Sequence, residues 1–227
     1  MENIKDEFVK KGVVLIKNAI PINLIDRANR SIDAFRLAND SKLNKDNLLV
    51  DGLLQRVVNL HYSVEVLEEI FESAMERGGE ICDMYGRATL YTSLFFELGS
   101  QQPLHRDTPY FYSGKENGYM GVWVALDDVD EENGALYAIT GSHLLKEPDL
   151  EELKYKFHPD GKVPPSSPAL FNAYNNALIE LASAQGLEST VFKVSKGDLI
   201  IWNPATLHGG LEHINRQRTR RSFVMHI

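Results

Sequence analysis

The chain holds 227 residues, of which 43% are hydrophobic and 25% charged, with a formal net charge of −8 and one cysteine. That balance excludes a disordered or collagen-like chain, and the length allows a real core without disulfide staples, in one domain spanning 1–227. The acidity, with no Lys/Arg block except near the C-terminus, argues against nucleic acid and against a membrane surface as partners.

Cys82 has no partner for an intramolecular disulfide, the opening stretch from Met1 to Glu7 lacks the apolar run of a secretory signal, and no apolar run is long enough to cross a bilayer. A cytoplasmic protein is therefore expected. Nothing in the sequence sets its oligomeric state.

In chain order, Val13-Val14-Leu15-Ile16 predicts a short buried strand. Pro21 then opens a helix whose apolar positions Ile25, Ala28, Ile32 and Phe35 recur at helical spacing. Residues 39–47 read as a polar turn. A second helix is predicted from Val64 to Met84, with a possible break at Gly78-Gly79. Residues 1–87 thus form a helix-rich support. From Ala88 onward short strands dominate: 88–98, 121–127, 135–140, 190–194, 199–203 and 220–227, separated by turn signals such as Asn133-Gly134 and Lys196-Gly197-Asp198. Many short strands with Gly/Pro punctuation predict a β-sandwich or barrel over 88–227. A Pro-rich stretch and a helix carrying Phe171, Tyr174, Leu178 and Leu181 interrupt it at 148–185, an insertion that can serve as a lid.

Three features carry chemistry. In Leu104-His105-Arg106-Asp107, an extended backbone puts His105 and Asp107 on one face, where an imidazole and a carboxylate can share a metal ion. His208 follows the apolar run 199–202, precedes Gly209-Gly210, and lies 103 residues beyond His105, so only a folded barrel brings the two together. Two histidines and one carboxylate form the facial triad of non-haem Fe(II) sites, although zinc accepts the same ligands. The C-terminal strand places Arg220, Ser222, Val224 and His226 on one face and Arg221, Phe223 and Met225 on the other. A guanidinium aimed into the barrel needs a carboxylate partner, which a dicarboxylate cosubstrate would supply to Arg220. Arg216, Arg218 and Arg221 read as a solvated surface cluster.

The run of His105-Arg106-Asp107, Trp123 to Val129, Glu132-Asn133-Gly134-Ala135-Leu136, Gly141-Ser142-His143, Gly197-Asp198 and His208-Gly209 resembles the phytanoyl-CoA dioxygenase (PhyH) family in order and spacing, nearly end to end. The resemblance implies a mainly β protein with flanking helices and a double-stranded β-helix (jelly-roll, cupin-like) core. It implies a non-haem Fe(II)- and 2-oxoglutarate-dependent dioxygenase that uses O2 to hydroxylate a small-molecule metabolite and releases succinate and CO2. Carried over by position, the iron ligands are His105, Asp107 and His208, and the 2-oxoglutarate arginine is Arg220, 12 residues past the distal histidine. Trp123 falls beside the cosubstrate, Arg56 where relatives carry a cosubstrate-contacting lysine, and Ser93 at a further lining position. The chain departs from the pattern at Gly210, where relatives often have serine, and at Glu97, where many have lysine. Retention of Asp107 disfavours halogenation. The alternatives are a metal-dependent cupin-type isomerase or hydrolase and a catalytically inactive binding protein of the same fold.

Other residues carry weaker signals. His143 reads as a turn residue making local hydrogen bonds, the acidic run 127–132 as a solvated loop, and Cys82 as a buried helix residue. Tyr110, Phe111 and Tyr112 follow the metal motif and at least one is placed by this reading at a substrate pocket. His61 and His226 fit either core or pocket.

Overall fold

The computed structural model describes residues 3–46, 48–108, 119–162, 164 and 167–227. Its elements are α1 (Ile4–Lys11), β1 (Val13–Ile16), α2 (Ile22–Lys45), β2 (Leu49–Val50), β3 (Leu53–Leu54), β4 (Val57–Val58), α3 (Val66–Cys82), β5 (Thr92–Phe96), β6 (Gly121–Ala125), β7 (Leu136–Ile139), α4 (Leu150–Phe157), α5 (Pro168–Ala184), β8 (Ser189–Val191), β9 (Leu199–Trp202), β10 (His208–Gly210) and β11 (Ser222–His226).

The strands form a major sheet in the order β1-β9-β6-β11-β5-β4 and a smaller one in the order β10-β7-β8, with β2 and β3 paired apart. Every pairing in the two main sheets is antiparallel. The major sheet is covered on both faces, which is why its central strands are apolar throughout rather than alternating. On one face Val122, Val124, Leu199, Ile201, Phe223 and Met225 pack with apolar residues of α1, α2 and α3. On the other, Trp123, Ala125, Ile200, Trp202 and Val224 meet Leu136 and Ala138 of the smaller sheet and Phe192 just past β8. This is the expected jelly-roll arrangement, mainly β with flanking helices. A third core joins Tyr174, Leu178 and Ala182 of α5 to Ile139, Leu145 and Leu207, with Leu104 packed against it.

Two helix expectations need correction. Residues 39–45 are not a turn: α2 continues through them to Lys45 and buries Leu43, the polarity belonging to its outer face. Gly78-Gly79 does not break α3. Instead Gly78 lets the helix approach the sheet, since a Cβ there would lie 2.5 Å from Ile201 Cδ1. The acidic run is also not simply solvated. Asp127 accepts hydrogen bonds from Thr219 Oγ1 and the Arg221 N–H, Asp128 from the Lys196 N–H, and Asp130 from Arg218, tying this loop to the C-terminal segment and the β8–β9 connection.

Candidate active site

His105 and His208 are neighbours through their backbones: each N–H donates to the other's carbonyl, at 2.9 and 3.0 Å. Asp107 follows in a bend rather than a regular strand and is held by its N–H to the Pro204 carbonyl, 3.0 Å. One ligand-capable atom from each of His105, Asp107 and His208 lies within 4.8 Å of the others, and all three residues are buried. The Nε2 atoms of His105 and His208 stand 3.7 and 3.6 Å from the Asp107 carboxylate. Each Nδ1 faces a backbone carbonyl, Pro103 at 2.8 Å and Thr206 at 3.0 Å. An Nδ1–H donated there leaves Nε2 as the free lone pair, the tautomer a metal requires.

Burial, helped by the charge of His208, pushes His105 down to about 4, so its imidazole is neutral at physiological pH. Burial alone would raise Asp107, but His208, His226, His105 and the Trp202 hydrogen bond outweigh it and hold the carboxyl below its usual range. The Trp202 indole N–H donates to Asp107 Oδ2 at 2.9 Å. It reaches across β6 because residue 121 is glycine: a Cβ there would sit 2.0 Å from the indole ring.

The triad opens onto a cavity of about 430 Å³ that also holds Arg56, Trp123, Arg220 and His226. Arg220 is 3% exposed. Its Nε donates to the Gly134 carbonyl at 3.1 Å and its Nη1 to Ser222 Oγ at 2.7 Å, and the guanidinium lies over the Trp123 ring at 5.0 Å. No carboxylate among the described residues pairs with it, and burial alone lowers it to about 10. The buried Trp123 Nε1 likewise has no hydrogen-bond partner. A deeply buried cation on the cavity lining, with no acid beside it among the described residues, makes a receptor for an anion, and the neutral-nitrogen and carboxylate donors nearby suit a divalent metal.

Six of the seven residues singled out from the sequence therefore meet at this cavity: His105, Asp107, His208, Arg220, Trp123 and Arg56. Ser93 does not. Side chains on β5 alternate, so Leu94 and Phe96 line the cavity while Ser93 points to the other face and bonds His61 Nδ1 at 2.6 Å. The same alternation removes Glu97 from the cavity. It is fully buried, accepting from Arg36, from the Leu54 N–H and from Arg221. Arg221 is thus a half-buried partner of the buried Glu97 rather than part of a solvated cluster, and Arg218 pairs with Asp130. At Gly210, an added Cβ would lie 2.7 Å from Ser100 Oγ, so a hydroxyl from Ser100, itself a lining residue, already fills that space.

His143 is not part of the triad, and its partner is distant in sequence, Val9 O at 3.0 Å. Tyr110, Phe111 and Tyr112 lie outside the described residues. Sequence reasoning missed Trp202, whose signal was its pairing with Gly121, and left His226 undecided. The structure puts His226 Nε2 4.0 Å from Asp107.

The sequence matches the model of the phytanoyl-CoA dioxygenase (PhyH) family over residues 8–222. The chain belongs to that family. Among curated relatives, it is 44% identical over 46 residues, 20% of the chain, to the phytanoyl-CoA dioxygenase domain-containing protein 1 of Danio rerio. It is 27% identical over 158 residues, 61% of the chain, to the iron/alpha-ketoglutarate-dependent dioxygenase penM of Penicillium thymicola. It covers 16% and 49% of those two proteins, half or less of their length. Among solved structures, the non-haem alpha ketoglutarate dependent carbocyclase SnoK from nogalamycin biosynthesis superposes with a TM-score of 0.64 at 15% identity, over 100% of this chain and 83% of SnoK, and shows the shared fold. No helix among the described residues is long and apolar enough to cross a membrane.

Proposed function

We propose that the chain is an Fe(II)- and 2-oxoglutarate-dependent dioxygenase that hydroxylates a small-molecule metabolite with release of succinate and CO2. One observation carries this reading: Arg220, buried and with no carboxylate partner among the described residues, faces the same cavity as three side chains with metal-ligand chemistry. His105, Asp107 and His208 would hold the iron. Arg220, with Ser222 fixing its guanidinium, would take the far carboxylate of 2-oxoglutarate as a bidentate partner. Trp123 would cover the cosubstrate and Arg56, exposed at the cavity, would add a second cationic contact. Bound iron with 2-oxoglutarate supplies the oxidising chemistry on O2.

The protein's own share is orientation and exclusion of water. The Nδ1 contacts fix both imidazoles, Trp202 fixes one Asp107 oxygen, and Trp123, Trp202, Leu94, Phe96 and Val224 line the cavity with apolar surface. No side-chain nucleophile is needed. The buried, solitary Cys82 suits work in a reducing cytoplasm.

The test is succinate formation from 2-oxoglutarate by the purified protein with Fe(II) in air. The expected result is turnover that falls to background in His105→Ala and in Asp107→Ala. Full activity in both variants would overturn the assignment. Because the solved neighbour SnoK is a carbocyclase, the product should be identified by mass: a gain of one oxygen supports hydroxylation, and a loss of two hydrogens points to another oxidative outcome.

A further inference from the structure

The residue between the two proximal ligands is fully buried, and α5 lies behind it. The Arg106 backbone N–H donates to Asn175 Oδ1 on α5 at 3.0 Å. Asn175 cannot turn away, because its Nδ2 donates to the Phe171 carbonyl one turn earlier, 3.1 Å. The Arg106 guanidinium binds Glu147, which also accepts from the Tyr174 hydroxyl at 2.6 Å. Its other nitrogen donates to the Ser142 carbonyl, 2.5 Å. Ser142 Oγ in turn accepts from the N–H of Leu207, the residue before His208, at 2.8 Å. The apolar side chains agree with the polar ones. Leu104, before His105, and Leu207, before His208, pack in the core formed with Tyr174, Leu178 and Ala182 of α5. Among the described residues, none that lines the cavity comes from 148–185.

We propose that α5 is a positioning element for the metal site rather than a cover for the cavity. Asn175 and Arg106 hold the His105–Asp107 bend, and through Ser142 the same network holds His208, so the distance between the two ligand segments is set from behind the site. This inference rests on the functional reading above, in that it takes the three residues to be metal ligands. The physical reason is that a bend with no regular strand of its own depends on outside partners for its backbone. A hydrogen bond buried on both sides also leaves an unsatisfied N–H if its acceptor is removed.

Co(II) binding to the full chain tests it without turnover, read as affinity by titration and as the visible absorption spectrum of the loaded protein. Asn175→Leu keeps the volume and removes the acceptor, and should weaken Co(II) about tenfold or more and change the spectrum. Asn175→Asp, as a protonated carboxyl, keeps an acceptor for the Arg106 N–H and a donor for the Phe171 carbonyl, and should return affinity to within about threefold of wild type with a native spectrum. Wild-type affinity and spectrum in Asn175→Leu would overturn the proposal. So would equal impairment in both variants, which marks a role in folding alone. Should Asn175→Leu not fold, Tyr174→Phe removes only the hydroxyl on Glu147. Weaker binding by about threefold then supports the network, and unchanged binding refutes it. If wild type itself binds no Co(II) in a manner sensitive to His105→Ala, the functional reading fails and this inference with it. Co(II) binding that is normal in wild type and in every α5 variant removes only the inference.

Discussion

Arg220 and Arg221 are consecutive residues just before β11 in opposite electrostatic settings. Arg221 points to the helix-covered face, where its guanidinium binds the fully buried Glu97 and the surface Asp33. Arg220 points to the cavity, where it meets a carbonyl, a hydroxyl and an indole face but no acid among the described residues. Arg220 is buried and Arg221 only half-buried, so the charge without an acid partner is also the deeper one. The separating fact is completeness: one charge has its acid partner and the other has none among the described residues. An incompletely paired buried charge is costly for folding, and its retention marks a place where a ligand completes the pair.

The largest effect that could break this comparison lies on the paired face. Arg221→Ala leaves the buried Glu97 with Arg36 as its one charged partner among the described residues, beside the Leu54 N–H, and should cost about 3 kcal/mol or more in urea unfolding of the metal-free protein, with the KM for 2-oxoglutarate unchanged. Arg220→Met removes a charge with no acid partner and should shift unfolding by no more than about 1 kcal/mol. Equal destabilisation by the two would erase the distinction.

Acid sharpens the comparison with a smaller effect. On the cavity face burial lowers His105, to about 4, and also His226. Their folded values lie below the unfolded value of about 6.5, so the unfolded chain binds more protons in between and stability falls as pH drops through that window. For His105 the loss between pH about 6.5 and about 4 is on the order of 2 kcal/mol, and His105→Gln should flatten that part of the stability–pH curve of the metal-free protein. A curve that keeps its slope in the variant would assign the acid lability to another group.

The smallest effect is on the helix side. Burial pushes the Cys82 thiol up to about 12, so a thiol reagent at neutral pH should label it only on unfolding, and rapid native labelling would contradict its placement.

How far the sequence could be read follows from the range of each signal. The triad and Arg220 were legible because the motifs lie in short segments of fixed order. The alternation along β11 correctly sent Arg220 and Arg221 to different faces. The same rule applied to β5 turns Ser93 and Glu97 away from the cavity, whereas resemblance matches positions without regard to the face each one occupies. Strands of two residues such as β2, β3 and β4 are too short to show a period, and the polar end of α2 hid a helix whose inner face needs only Leu43. The Trp202–Gly121 and Arg106–Asn175 contacts join residues that no local pattern connects, and only the packed fold reveals them.

The central claim is that Arg220 is completed by a dicarboxylate. Its most direct test is calorimetric titration of 2-oxoglutarate into the Co(II)-loaded protein without oxygen. Wild type and Arg221→Ala should bind alike, and Arg220→Met about tenfold or more weaker, as expected for loss of a charge-assisted pair. Equal affinity in wild type and Arg220→Met would contradict the account.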